Sequence, residues 1–386
     1  MTDALRLTDA LARELAQTAV ARDRAGGHAG EAREAIRASG LLTLTIPAQF
    51  GGQGADWPTF YASLRRLAQA DSALAHLYGF HHLQMASLLL YGSHEQQQRQ
   101  FEDTVVQRLF WGNALNPLDQ RTVATEADAG WTFNGIKSFS SGSVGSDRMV
   151  VSGWHRPTQS LVVAVTPTRR AGVRVRADWD AFGQKQTDSG TVEFEGVAIG
   201  HDEVLLAPAA VQTPRMTVRP LVSQLIMANL YLGIAIGAFD EARQYTREQA
   251  RAWPGSGVER AIDDPIVQHR YGELKLLVRA AEGTADAAAR QLDDALHRGP
   301  ALDAAERGEL AIAIAEAKVL SHRAAMEISS QFFELTGARS TSQKLGLDRF
   351  WRNARVHTLH DPVDMKLRDI GRHALDGRLP EPGSYS

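Results

Sequence analysis

The chain has no cysteine among its 386 residues. A disulfide, a thiolate nucleophile, a zinc thiolate centre and a cysteine-ligated iron–sulfur cluster are therefore excluded. Neither sign of charge dominates, since 42 Lys and Arg stand against 45 Asp and Glu for a formal net charge of −3. That balance gives no electrostatic footprint for nucleic acid or an anionic membrane surface. Polar residues such as Ser223, Gln224 and Asn229 interrupt the longest uncharged stretches, so none is expected to offer ~18 consecutive apolar residues for a membrane span. The N-terminal "MTDALRLTDALARELAQ" carries charges every few residues where a signal peptide would place an apolar core. The expectation is a cytoplasmic protein with no nucleic-acid or membrane partner. Neither G-x-G-x-x-G nor G-x-x-x-x-G-K occurs, which removes the nicotinamide-binding and P-loop classes. E-x-x-H is absent too, so a carboxylate-bridged di-metal bundle has no ligand set.

What is present suffices for two or three packed units, because a chain of this length with 44% apolar content exceeds the usual ceiling for one core. From Thr8 to Arg24, Leu11, Leu15 and Ala19 recur at helical spacing before the stop "AGG". Glycine-rich "QFGGQGADWP" reads as a loop, and Ser93 with Gln96 reads as a capping box opening another helix. After residue 111 the pattern changes to short segments such as "WTFNGIKSF", "SLVVAVTP" and "TVEFEGVAI", rich in β-branched and aromatic residues. Beyond Pro214 long helical patterns return. The expected order is an N-terminal helical domain (1–110), a central β domain (111–212) and a C-terminal helical bundle (213–386).

The most suggestive local string is "HTLHDP", which sets His357 and His360 three residues apart, ahead of Asp361 and a proline. On a helix the two rings would share a face. Two ligands do not make a metal site, so no metal is expected. Histidine changes charge near neutral pH and suits proton donation and retrieval. An ordinary surface or interface pair is the competing reading.

Taken in order, "NALNPLD", "WTFNGIKSFSSGSVGSDRMVV", "TPTRRAGVRVRADWDAFGQKQTDSGTVEFEGVAI" and "ELTGARSTSQKLGLDRFWRNARVHTLHDP" resemble the acyl-CoA dehydrogenase superfamily over nearly the whole chain. The resemblance implies a mainly α protein with a central β-barrel and a C-terminal four-helix bundle, a flavin in the cleft, and a homotetramer. At the place where those dehydrogenases carry a catalytic glutamate, this chain reads His360-Asp361. The alternative place for that base, near "RPLVSQLIMAN", holds no glutamate either. Without a carboxylate there, proton abstraction beside a thioester has no evident base.

Matching stretches such as "GGQGADWP", "HLYGFH", "QTDSG" and "HTLHDPV" are similar to the flavin-dependent monooxygenase branch, typified by dibenzothiophene and methanesulfinate monooxygenases. That branch takes reduced FMN from a separate NAD(P)H-dependent flavin reductase and forms a C4a-hydroperoxide with O2. It then passes one oxygen atom to sulfur or nitrogen; FAD is the alternative flavin. By this resemblance His360 manages the proton, with His357 and Asp361 tuning it. Ser141 and Phe139 line the flavin, and Asn113 and His76 fall at further cleft positions. Trp179 packs on the ring, while Arg251 and Arg339 are candidates for the phosphate, one of them from a neighbouring subunit. Each has a local alternative. Ser141 could cap its turn, Asn113 could hold a strand end, and His76 could pack in a helix. Trp179 could be barrel core, and the arginines could form surface salt bridges. The short segment "NALNPLDQRTVATEADAGW" suggests a small substrate, with an alkanesulfinate favoured over dibenzothiophene. An acyl-CoA dehydrogenase, an amine N-hydroxylase and a non-catalytic flavin-binding protein remain the rival readings.

Overall fold

The computed structural model describes residues 2–386. Five helices come first: α1 (Asp3–Ala25), α2 (Gly30–Ala38), α3 (Trp57–Ala70), α4 (Ser72–Tyr91) and α5 (His94–Gln107). The stripe Ala4, Thr8, Leu11, Leu15 and Ala19 is buried, and α1 begins earlier than its leucines alone suggest because Thr2 caps Leu5. Asp71 starts α4 by accepting from the backbone of Ala73 and Leu74, and its other oxygen meets Arg22 at 2.5 Å. Eighteen of the 20 residues of α4 are buried, so it is a core helix with no solvent face. The expected capping box at Ser93 and Gln96 opens α5.

Eight strands follow: β1 (Trp111–Ala114), β2 (Val123–Ala127), β3 (Gly130–Lys137), β4 (Arg148–His155), β5 (Ser160–Pro167), β6 (Val173–Val175), β7 (Val192–Gly200) and β8 (Val204–Leu206). They form one mixed sheet in the order β6-β7-β3-β2-β4-β5-β8, with β1 parallel to the first half of β4. The expected closed barrel is not formed. Strands β6 and β8, each three residues long, remain unpaired edges, and β2 meets β4 only at Val123 and Trp154. A sheet held across its middle by one residue pair has too little continuous ladder to curl and close. Its two apolar faces are covered instead, one by α4 and α5 and the other by its own cluster around Phe133, Met149, Val162 and Phe194.

The chain ends in helices α6 (Arg219–Glu248), α7 (Pro265–Arg298), α8 (Ala304–Thr336), α9 (Asp348–Thr358) and α10 (Val363–Asp376). The segment Met216–Glu248 is long and apolar enough to cross a membrane, yet 94% of its most apolar window is buried inside the protein. Packing of α6 against α3, α4, α7 and α8 accounts for that apolarity. A single large core runs from α1 through α3, α4 and α6 to α8, and α4 meets the sheet at β1 and meets α9 where His76 faces His357.

Candidate active site

Three histidines converge at that junction. His76 on α4 is buried, its ring stacked on Phe80 at 4.0 Å and tilted toward the His357 ring at 4.8 Å. Both His76 nitrogens lack a hydrogen-bond partner among the described residues. Burial and the nearby His360 lower its pKa to about 3, so the ring is neutral. His357 is buried near the end of α9 and is likewise held well below the usual histidine value by burial, with His76 and His360 adding to the effect.

The tautomer of His357 is fixed by Gln184. The Gln184 side-chain amide also faces the Asn353 carbonyl at 3.4 Å, which only its NH2 end can satisfy, and it donates to His357 Nδ1 at 3.1 Å. The His357 proton therefore sits on Nε2, which is buried and has no partner among the described residues. Tyr231 on α6 donates to the His357 carbonyl at 2.9 Å and anchors the helix end. His357 and His360 do not share a helical face as the spacing suggested. Helix α9 stops at Thr358 because Pro362 restricts the residue before it and opens α10, so His360 leaves from the turn between them.

His360 keeps a third of its side chain exposed, and its Nδ1 lies 3.0 Å from Asp361 Oδ1. The same Oδ1 accepts from Lys318 Nζ, whose second partner is Gln224 Oε1 at 2.6 Å. Burial would raise the Asp361 pKa, but the His360 hydrogen bond and the Lys318 charge outweigh it and keep the carboxylate ionised. Lys318, almost wholly buried on α8, is lowered by that burial to about 8.

The sheet side supplies hydroxyls and aromatic rings. Ser141 Oγ shares a 2.8 Å hydrogen bond with Ser189 Oγ, so it does not simply cap its own turn. The Ser141 carbonyl accepts from Asn113 N at 2.9 Å, which ties β1 to this loop. The Asn113 side chain accepts from Gln84 on α4 at 3.2 Å. Phe139 adopts φ 56° and is 65% exposed, with its ring edge-on to Trp179 at 6.0 Å. Trp179 is half-buried and donates from Nε1 to the Gln184 carbonyl at 2.8 Å, so it is not sheet core. Arg251 and Arg339 are exposed and in no ion pair among the described residues. Arg339 donates to the Gln249 carbonyl at 2.9 Å, beside Arg251. This places both arginines past the far end of α6, about 25 Å along that helix from Tyr231 at ~1.5 Å per residue. One chain does not bring them to the histidines.

Sequence reasoning missed Gln184, Ser189 and Lys318. Gln184 and Ser189 lie in an irregular loop that gives no pattern, but Lys318 was findable, since it occupies a core position of α8 with Ile314, Ser321 and Ala325. This junction combines orphaned buried ring nitrogens and an amide edge with the exposed Phe139 and half-buried Trp179 rings, a set that fits the polar rim and flat face of a flavin. Fold and site together mark a flavin-handling oxidoreductase.

Comparison with known proteins agrees. The acyl-CoA dehydrogenase N-terminal domain model matches residues 4–106, and the acyl-CoA dehydrogenase C-terminal domain model matches residues 225–365. The chain is 46% identical over 384 residues to the Pseudomonas putida protein named "Probable FMNH2-dependent monooxygenase SfnC", covering 99% of this chain and 97% of that one. It superposes on methanesulfinate monooxygenase MsuC from Pseudomonas fluorescens with a TM-score of 0.98 at 45% identity, covering 100% of both chains. TdsC from Paenibacillus sp. A11-2, a dibenzothiophene monooxygenase solved with FMN and indole, gives 0.95 at 40% identity over 99% of both chains. The chain belongs to the acyl-CoA dehydrogenase family, in the branch that holds these flavin-dependent monooxygenases.

Proposed function

We propose that the chain is the oxygenase component of a two-component system, taking FMNH2 from a separate NAD(P)H-dependent flavin reductase and oxygenating sulfur in a small organosulfur compound. An alkanesulfinate converted to the sulfonate is the favoured reaction, and sulfoxidation of dibenzothiophene type comes next. One observation carries this reading. Asp361, the carboxylate at the histidine cluster, is bound by both Lys318 and His360 and is not free to abstract a carbon-bound proton. That argues against a dehydrogenase and leaves imidazoles to manage the proton. The relatives named above act, by their names, on methanesulfinate and dibenzothiophene, which supports an organosulfur substrate.

Bound reduced flavin supplies the two electrons that divide dioxygen between the substrate sulfur and water. Phe139 and Trp179 would flank its ring, while Ser141, Asn113 and His76 would hydrogen-bond its polar rim. His357 would present Nε2–H to the cleft, and His360 would hold or release the proton that ends in water. Arg251 and Arg339 would grip the phosphate by charged, forked hydrogen bonds, and their distance from the histidines suits delivery by a neighbouring copy in a homotetramer. The cytoplasm, where the reductase supplies FMNH2, is the proposed setting.

The test is to mix the protein with reduced FMN, ¹⁸O2 and methanesulfinate, then analyse the product by mass spectrometry. Methanesulfonate carrying one ¹⁸O atom is expected. Reoxidation of the reduced FMN with release of hydrogen peroxide and no sulfonate or sulfoxide, together with bleaching of bound FAD by an acyl thioester, would return the protein to the dehydrogenases.

A further inference from the structure

The apolar bundle core contains a charge that the roles above do not use. Lys318 lies on α8, is 1% exposed, and reaches out of the bundle to Asp361 Oδ1, the atom that also meets His360 Nδ1. An apolar side chain at such a position usually stabilises a helical core as well as a buried ion pair does, or better. The lysine is therefore hard to explain by stability. We propose that Lys318 is a positioning residue for the oxygenation: acting through Asp361, it holds the His360 ring with its proton on Nδ1 and keeps Nε2 free for the reacting groups. The assignment rests on the functional reading given above.

The chemistry is direct. An ionised carboxylate only accepts hydrogen bonds, so a 3.0 Å contact to Asp361 makes Nδ1 the protonated nitrogen of a neutral His360. Asp361 is 6% exposed, and a carboxylate that buried is driven toward its protonated form unless a cation stands against it. A protonated Asp361 could donate to Nδ1 and reverse the tautomer. Together with the His360 hydrogen bond, the Lys318 charge keeps Asp361 ionised and so prevents this. Other groups face the pair from every side. His76 faces it from α4 and His357 from α9, Gln224 and Tyr231 project from α6, His322 from α8 and Lys366 from α10, while the Tyr385 ring lies 5.3 Å from His360. Lys366 and His322 add no negative charge, and Lys318 and His360 share one carboxylate, Asp361.

Histidine imidazole NMR on the flavin-free protein reads the effect without turnover. In the wild type, neutral His360 is expected as the Nδ1–H tautomer. Lys318→Met, which removes the lysine charge from Asp361, is expected to raise the His360 titration midpoint by about one pH unit or more, and the pH profile of sulfonate formation should move with it. Asp361→Asn, which retains the lysine, is expected to lower the midpoint, and Lys318→Arg should restore it toward wild type. A wild-type enzyme that makes sulfonate, with a His360 tautomer and midpoint unmoved in both Lys318→Met and Asp361→Asn, would overturn the Lys318 assignment alone. Absence of oxygenation by the wild type would instead overturn the functional reading on which it stands.

Discussion

Acid should unfold this protein through its buried histidines, and His76 offers the cleanest way to measure it. A histidine in an unfolded chain titrates near ~6.5. In the folded protein, burial, reinforced by His360, lowers His76 to about 3, and burial lowers His81 to about 4. His82 and His357 shift in the same direction, again chiefly through burial. Between those values and ~6.5 the unfolded chain binds more protons than the folded one, so stability rises with pH. The contribution of each ring is complete above ~6.5 and is lost as the pH falls toward its folded value. At ~1.4 kcal/mol per pH unit, a drop from about pH 7 to about pH 5 removes roughly 2 kcal/mol per ring, or about 4 kcal/mol for His76 and His81 together. His76→Phe deletes one of these titrations without stranding a partner, because neither ring nitrogen is hydrogen-bonded and the ring already stacks on Phe80. Urea unfolding followed by pulse proteolysis at the two pH values should show an acid loss smaller by about 2 kcal/mol in the variant than in the wild type. Equal losses in the two proteins would refute the claim that His76 is neutral in the fold.

Three further outcomes test the site. His360→Ala should cut oxygenation at least ~10²-fold, the low end of a general acid–base contribution, with little change in reduced-flavin affinity; retained turnover would remove His360 from the proton step. Arg251→Ala should raise the FMN dissociation constant about tenfold, since a charged hydrogen bond is worth ~1.5–3 kcal/mol; unchanged affinity in titration calorimetry would leave Arg339 as the phosphate contact. Gly183→Ala would drive a methyl group into the Arg352 carbonyl of α9, where only backbone can yield. The expected result is a loss of ~2 kcal/mol or more in urea unfolding together with weakened flavin binding, because Gln184 and the acceptor of the Trp179 indole move with that loop.

Much of this architecture was legible because local signals and burial agreed. The α1 stripe, the Ser93 capping box and the switch from 3.6-residue to two-residue periodicity near Trp111 each state their element within a dozen residues. Closure of the sheet was not legible. Whether β6 and β8 find each other depends on the single bridge between Val123 and Trp154, a contact between strands whose own sequences read equally well in an open or a closed sheet. The site divides along the same line. Histidines at positions 357 and 360 announce themselves by spacing, yet their difference in role is made by partners far away in the chain. Gln184 fixes one ring across 173 residues, and Lys318 fixes the carboxylate that orients the other across 43. Lys318 shows why composition misleads here. Counted as one surface charge among 42 Lys and Arg, it says nothing, but read at a buried position of the α8 repeat it demands a carboxylate, and the one it meets belongs to the residue next to His360. A charged residue out of phase with a helix's solvent face is thus the sequence signal that would have joined the bundle core to the reaction.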